Sequence, residues 1–372
     1  MQETYLEVNI DKIRKNIIKL KSLDPNSLFC AVVKANAYGL GVVEISKNIE
    51  DLVDYFAVAR ASEAFILRKN KIKKPILVLG YIDLNDIKKC SELDIDIPIY
   101  DLEYAKSIDD LGYQLKCHLA LDTGHSRLGF RRFEIDKIRE LKDLNNLDII
   151  SAFSHFSTAD EKDTSYTQKQ LNIFDEIISA INNDFDFKFL HISNSAGLIK
   201  HKISKGMIRA GISIYGLYPS DVLKNEEDVV LERSFRLFST VSFVKDIDKD
   251  TPVSYGRTFI SHKKMKVATV TIGYADGFLR SFSNVGDVYI NGHNCKILGR
   301  ICMDQIIVDV SDIDVKIGDR VEIYRDIYRQ AKNAGTITYE LMTNISLRVT
   351  RSYILDNHLF KTINYLGEIY ES

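Results

Sequence analysis

Lys34 is the residue whose setting most invites chemistry. It closes the apolar run Leu28, Phe29, Cys30, Ala31, Val32, Val33 and is followed at once by Ala35, Asn36, Ala37, Tyr38 and Gly39. A continuous apolar run of that length reads as a strand buried on both faces, and α/β sheets and barrels collect their ligands at the carboxyl ends of such strands. A lysine desolvated there can give up its proton and attack a carbonyl group. Other chemical groups fall after later apolar runs, namely Asp122 and Arg127, His155, and Asn194 and Ser195, while Arg209 stands near the end of the last run. Two of these places are rich in small residues, namely Asn194, Ser195, Ala196, Gly197 and Gly211, Ile212, Ser213. Small side chains let backbone N–H groups approach an anion, and a helix starting after Asn194 adds its positive dipole end. A carbonyl-reactive lysine beside a phosphate cradle points to a phosphorylated aldehyde cofactor, pyridoxal 5'-phosphate.

For these residues to meet, the chain must bring many strand ends to one rim. Eight apolar runs alternate with helical patterns: Leu28 to Lys34, Tyr55 to Ala59, Pro75 to Leu79, Ile95 to Tyr100, Gln114 to Leu121, Leu147 to Ser154, Phe187 to Ile192 and Gly206 to Ala210. Amphipathic segments such as Ser62 to Lys69, Phe133 to Leu144 and Tyr166 to Ile181 lie between them. Eight strands in alternation with helices is the count of an α/β fold of the (β/α)8, TIM-barrel type. After about Leu231 the texture changes to alternating segments: Leu237 to Val244, Met265 to Ile272, Val288 to Leu298 with a hairpin at Asn291 and Gly292, and Ile306 to Val310. The expected division is a barrel over residues 1–231 and a mostly β carboxyl-terminal domain over 232–372. Tyr5 to Ile10 also reads as a strand, so residues 1–10 are free to join the second domain.

Composition narrows the function. At 372 residues the chain is long enough for two cores. Fifty basic side chains nearly cancel fifty-two acidic ones, so no net charge points to nucleic acid or an anionic membrane. A small-molecule ligand is expected. The five cysteines (Cys30, Cys90, Cys117, Cys295, Cys302) are odd in number and never spaced as C-x-x-C, which fits a reducing cytoplasm better than a disulfide framework or a zinc ribbon. The first residues, Met1 to Tyr5, lack a basic segment followed by an apolar stretch, and no run is long enough to span a bilayer. The histidines show no metal-binding spacing, so no metal is expected. Gly39, Leu40, Gly41 imitates the start of a dinucleotide loop, but Glu44 stands where its third glycine belongs and would repel pyrophosphate.

The segment Ala31 to Gly39, A-V-V-K-A-N-A-Y-G, resembles the pyridoxal phosphate attachment site of the alanine racemase family. Six further segments resemble that family's motifs in the same order. They are Asp122 to Arg127, Ser154 to Glu161, Arg209 to Gly216, Ser254 to Gly256, Gly273 to Gly277 and Gly299 to Gln305. The resemblance implies a fold-type III pyridoxal phosphate enzyme interconverting L-alanine and D-alanine for peptidoglycan. Lys34 would hold the cofactor as a Schiff base, and the enzyme would be a homodimer with each active site shared between subunits. It also implies the roles. Lys34 and Tyr255 are the two catalytic bases, one on each face of the substrate Cα. Tyr38, Ser195, Gly211 and Ile212 hold the phosphate, Arg209 faces the pyridine nitrogen and His155 lies beside it. Arg127 and Met303 bind the substrate, with Tyr274, Cys302 and Asp304 in support. Tyrosine ordinarily ionises near pH 10, so Tyr255 needs cationic or hydrogen-bonding neighbours to work near neutrality.

Two positions depart from the family pattern. Ala120 stands where many relatives carry a carbamylated lysine that orients the substrate arginine, which leaves Arg127 in need of another partner such as chloride. Leu347 replaces a tyrosine common in the I-S-x-R segment, which removes a phenol and opens room beside the substrate. Serine, or a broader range of amino acids, is therefore the alternative substrate class. A non-catalytic pyridoxal phosphate-binding protein and a decarboxylase of related fold are the readings from other classes. Neither calls for Tyr255.

Overall fold

The computed structural model describes residues 4–226 and 229–367. Met1 to Glu3, part of the amino terminus discussed above, lie outside the described residues. The chain opens with β1 (Tyr5–Asn9), followed after a helix over Ile10–Lys21 by eight parallel strands. These are β2 (Leu28–Val32), β3 (Tyr55–Val58), β4 (Ile76–Val78), β5 (Ile95–Ile99), β6 (Leu115–Ala120), β7 (Leu147–Phe153), β8 (Phe189–His191) and β9 (Met207–Ala210). They pair in the order β8-β7-β6-β5-β4-β3-β2-β9. The ends meet through a parallel bridge between Leu190 and Gly206, which closes the barrel. All eight expected strands are present. They read as unbroken apolar runs because both faces are covered: β3, β4, β5 and β9 are buried at every position.

The helices follow equally local rules. The helix over Ser165–Ile181 buries Thr167, Gln170, Phe174, Ile177 and Ile181, the three- and four-residue spacing of one helical face. Asp83, Asp101 and Asn194 cap the helices that follow them by accepting a backbone N–H. The segment expected as one helix from Phe133 to Leu144 is shorter, an α-helix over Ile135–Glu140 that tightens into a 3-10 turn over Leu141–Asp143.

The remaining strands are β10 (Phe235–Ile247), β11 (Pro252–Val253), β12 (Phe259–Ile260), β13 (Met265–Val270), β14 (Asp287–Ile290), β15 (His293–Lys296), β16 (Ile306–Asp309), β17 (Arg320–Glu322), β18 (Thr350–Leu355) and β19 (His358–Ile363). β11 and β12 form a separate two-stranded sheet, while the others join β1 in one sheet with the long β10 as its spine. The first half of β10 pairs with β1 and β17, and beyond an irregularity between Val241 and Phe243 its second half pairs with β13. β1 lies between β10 and β18, in register Tyr5 with Phe238 and Tyr5 with Thr350. Asn291 and Gly292 turn the β14–β15 hairpin, and both have positive φ as a tight hairpin turn requires.

The chain divides into two compact units. One comprises Lys12–Ala37 and Val42–Arg233; the other takes the described residues through Asp11, the short stretch Tyr38–Gly41, and those from Ser234 onward. Tyr38–Gly41 is held in the second unit by Arg351, a fully buried side chain that donates to the carbonyls of Gly39, Ile345, Ser346 and Val349. Tyr353 donates its hydroxyl to the carbonyl of Leu40. Gly39 and Gly41 are therefore glycines for packing, not for phosphate. A β-carbon on Gly41, where φ is +109°, would lie 1.8 Å from the Tyr353 hydroxyl. Gly41→Ala should cost about 2–4 kcal/mol of stability, read from urea unfolding. A loss within about 0.5 kcal/mol would show that this contact is dispensable.

Candidate active site

Lys34 follows β2 after one residue and begins a turn of the wrong hand. Ala35, Asn36, Ala37 and Tyr38 all have φ between +52° and +56°, a left-handed stretch that costs an L-residue about 1–2 kcal/mol per position. Specific bonds impose it. The N–H of Ala35 donates to Glu63 Oε1 at 2.6 Å, and that of Ala37 donates to the carbonyl of Val33 at 2.9 Å. The side-chain oxygen of Asn36 accepts from the N–H of Val42 at 2.8 Å. Glu63 Oε2 also accepts from Ala59 at 2.8 Å, so one carboxylate ties the end of β3 to the residue after Lys34. The half-buried Lys34 amine is pulled below its usual pKa, first by burial and then by the charges of Arg127 and Arg209, with Glu63 opposing. The trend favours the unprotonated, nucleophilic amine.

Arg209, at the end of β9, is nearly fully buried and makes these contacts with its two terminal guanidinium nitrogens. Nη1 donates to His191 Nδ1 at 2.6 Å and to the His191 carbonyl at 3.0 Å. Nη2 donates to the Ser154 carbonyl at 2.7 Å and to His155 Nδ1 at 3.2 Å. Burial lowers its pKa to about 10, so near neutral pH it remains a cation. His155 is held well below the ordinary histidine range by burial and by the charges of Arg209 and Arg127; His191 is held down by burial and Arg209. Both are neutral in the fold. In the unfolded chain they titrate near pH 6.5, so below that pH the unfolded state takes up protons that the folded state refuses. Stability should therefore fall with decreasing pH by about 1.4 kcal/mol per pH unit for each of the two, starting near pH 6.5. Urea unfolding between pH 7.5 and 5 measures the slope. A flat profile would mean that these imidazoles take up protons in the fold as readily as in the unfolded chain.

The small-residue loops also meet. Ser195 begins the helix over Ser195–His201, and its hydroxyl accepts from the N–H of Gly211 at 3.0 Å, joining the loop after β8 to the loop after β9. Ile212 then starts a 3-10 turn to Tyr215. Within it the buried Ser213 hydroxyl has no hydrogen-bond partner among the described residues, an unmet polar group that a ligand oxygen can satisfy. Arg127 is exposed, in a loop organised by Asp122, whose Oδ1 accepts from the N–H groups of Gly124 and Ser126. Ala120, at the end of β6, is buried. The structure thus gathers Lys34, His155 and Arg209 at the strand ends of the barrel, with Arg127 close enough for its charge to act on all three. The two guanidinium cations of Arg127 and Arg209 against the single carboxylate of Glu63 suit an anionic ligand. With the unmet Ser213 hydroxyl and the desolvated amine, the residues fit pyridoxal phosphate.

The other expected residues lie in the second unit. Tyr38 is buried there against Tyr339, ring centroids 6.1 Å apart, with its phenol kept protonated by burial. Tyr255 opens a short 3-10 turn and is 70% exposed. The Arg300 guanidinium packs on the neighbouring Gly256, where a β-carbon would come within 2.9 Å of Nη1. The three motifs of this unit interlock. Tyr274 and Ala275 donate their N–H groups to the carbonyls of Cys302 and Met303, and the Ser254 hydroxyl donates to the Arg300 carbonyl. Arg348 bridges Asp276 at 2.8 Å and Asp304 at 2.9 Å. Tyr274, Cys302, Met303 and Asp304 are in this way brought to one face.

Several contributors escaped the sequence reading. Glu63 is signalled only as an acid in a helix first turn. Gln170, fully buried, accepts from the Ser157 N–H and donates to the His155 carbonyl, which holds the loop after β7. Its signal was a glutamine on the apolar face of a helix. Arg348 stands beside Leu347 in the I-S-x-R segment, and its bridging of two acids depends on tertiary partners that the sequence does not show.

Comparison with known proteins gives one answer across the chain. Residues 8–219 match the model of the alanine racemase N-terminal domain and residues 234–353 that of the C-terminal domain. The alanine racemase of Methanococcus maripaludis is 40% identical over 94% of this chain and 98% of its own, and that of Clostridium perfringens 38% over 98% and 99%. Among solved structures, alanine racemase from Clostridium difficile superposes with a TM-score of 0.92 at 37% identity, covering 98% of this chain and 99% of its own. The Bacillus anthracis enzyme with bound L-Ala-P superposes with a TM-score of 0.94 at 34% identity, covering 99% of each. The chain belongs to the alanine racemase family.

Proposed function

We infer that the protein interconverts L-alanine and D-alanine with pyridoxal phosphate, using Lys34 and Tyr255 as its two bases. The observation that carries this is the desolvated Lys34 amine among Arg127, Arg209 and Glu63 in a chain of this family. Pyridoxal phosphate, when bound, supplies an electron sink that acidifies the Cα–H of the amino acid joined to it. The chain's residues do the rest. Lys34 Nζ takes or returns a proton on one face of Cα, and the Tyr255 hydroxyl serves the other. Arg209 would meet the ring nitrogen with an N–H donor while keeping its own proton, which would limit charge flow into the ring and restrain side reactions. His155 is neutral and packs beside Arg209, so it orients without moving protons. Ser195, Ser213 and the backbone of Gly211 and Ile212 receive the phosphate, with Tyr38 contributing its phenol. Arg127 and the backbone of Met303 hold the substrate carboxylate, with Tyr274, Cys302 and Asp304 shaping the surface around them.

The active form is a homodimer in which Tyr255 of the partner subunit completes each site. Tyr255, Tyr274, Met303 and Leu347 are all exposed on the chain alone, and aromatic residues and methionine are enriched at protein interfaces. The D-alanine goes to peptidoglycan in the cytoplasm. Among the described residues no helix is long and apolar enough to cross a membrane. The serine reading is not favoured, because the matching relatives are alanine racemases. The test is to incubate the purified protein and pyridoxal phosphate with L-alanine, then with L-serine, and follow chirality. Alanine should approach equal amounts of both enantiomers. Failure to do so would refute the reading, and a kcat/KM for serine within about a hundredfold of that for alanine would restore broad specificity.

A further inference from the structure

Behind Arg209 a line of buried polar groups runs through the barrel interior. His191 Nε2 lies 2.9 Å from His118 Nδ1, and His118 Nε2 lies 3.2 Å from Asp96 Oδ2. All three side chains are buried, Asp96 at 2% exposure and the histidines at none. Their hydrogen positions follow from chemistry. A guanidinium has no acceptor, so the 2.6 Å contact from Arg209 Nη1 requires a bare Nδ1 on His191. The neutral ring then carries its proton on Nε2 and donates it to His118 Nδ1. His118 in turn carries its proton on Nε2 and donates to the Asp96 carboxylate, which can only accept. Every link points one way, from guanidinium to carboxylate. The surroundings hold this order in place: Phe153 stacks on His191 at 5.0 Å, while Phe189 and Tyr55 pack edge-on against His118. Other ionisable groups act on this cluster as well: the Arg68 and Lys116 cations on Asp96, the Asp94 carboxylate on Tyr55, and the Cys117 thiol, which burial keeps protonated, beside Asp96. Burial keeps the Tyr55 phenol protonated beside Asp96, and it raises the Cys30 thiol near Arg209 to about 12.

We infer that Asp96, His118 and His191 are positioning residues for Arg209, forming a one-directional hydrogen-bond relay that fixes the guanidinium and couples it electrically to a carboxylate three hydrogen bonds away. The inference rests on the proposed function in taking Arg209 as the cofactor's ring partner. A buried cation needs a counter-charge, and the relay supplies one without placing an anion in the site. Taking the charge away makes the site more positive. A positive field disfavours protonated Lys34, so the pH midpoint of any absorbance change linked to that proton should fall.

Two measurements on the full-length protein loaded with pyridoxal phosphate test this. The first is the histidine tautomer state, from long-range proton–nitrogen NMR on nitrogen-15 histidine-labelled wild type at pH 7. Both His118 and His191 should be neutral and protonated on Nε2. A proton on Nδ1, or a charged ring, at either one overturns the relay. The second is the visible absorbance of the bound cofactor against pH in Asp96→Asn, with Ile97→Val as a control for altered packing. Asp96→Asn should move the midpoint down by about half a pH unit while Ile97→Val leaves it unmoved. An unmoved or raised midpoint in a folded Asp96→Asn protein also overturns the coupling. If Asp96→Asn does not fold, the wild-type tautomers decide alone. A wild type that binds cofactor but does not racemise refutes the proposed function and leaves both readouts intact.

Discussion

Lys34→Ala should lose racemase activity by at least about 10^4-fold, because in the proposed function the change removes both the group that attaches the cofactor and one of the two bases. The fold should survive. Lys34 is half-buried at a strand end, and the left-handed turn after it is held by backbone groups of Ala35 and Ala37 together with the Asn36 side chain. Thermal unfolding of the variant should therefore stay close to wild type. The variant should still bind pyridoxal phosphate through Arg209, Ser195 and the Gly211 loop, but without the absorbance that marks attachment to a lysine. The assay is D-alanine formation from L-alanine at saturating cofactor. Activity within about a hundredfold of wild type would mean that Lys34 is not a catalytic base here.

Tyr255→Phe should cost about 10^2 to 10^4-fold in racemisation while leaving cofactor binding unchanged, since it deletes one proton carrier and nothing that holds the ring. Tyr255 is exposed, so loss of its hydroxyl should not destabilise the chain. The sharper experiment mixes the two variants. If each site joins Lys34 of one subunit to Tyr255 of the partner subunit, a Lys34→Ala and Tyr255→Phe mixed dimer has one doubly altered site and one intact site. Random reassortment of equal amounts should restore about a quarter of wild-type activity. No recovery after verified subunit exchange would place both residues in sites built from single chains.

The barrel was legible because its chemistry is monotonous. Strands buried on both faces must be apolar throughout, so runs such as Tyr55 to Val58 announce themselves, and the groups that follow them are candidates by position alone. The edge strand β19 was not legible, because five of its six residues are exposed and its sequence carries no alternation. β17, at three residues, is too short to show a period. The left-handed turn was hidden for a different reason. Ala-Asn-Ala prefers the right-handed region, and only tertiary partners such as Glu63 and Val42 reverse it. The relay behind Arg209 left a trace that was passed over: Asp96 and His118 are polar residues inside strands otherwise read as core. Buried polar groups demand partners, but a sequence does not show which strand supplies them. Lys34 and Tyr255 lay in recognisable motifs, whereas Gln170 and Ser213 gained meaning only when their hydrogen-bond partners, or the lack of one, became visible.

The proposed racemisation needs two bases acting from opposite faces of one carbon, and deuterium tests that most directly. L-alanine is incubated with the protein in deuterated water, and Cα label is followed separately in each enantiomer for wild type, Lys34→Ala and Tyr255→Phe. In wild type the D-alanine should carry deuterium from the first turnovers. Tyr255→Phe should keep exchange with one enantiomer only, and any residual exchange in Lys34→Ala should be with the other. Protium retained in newly formed D-alanine, or equal exchange of both enantiomers by Tyr255→Phe, would contradict it.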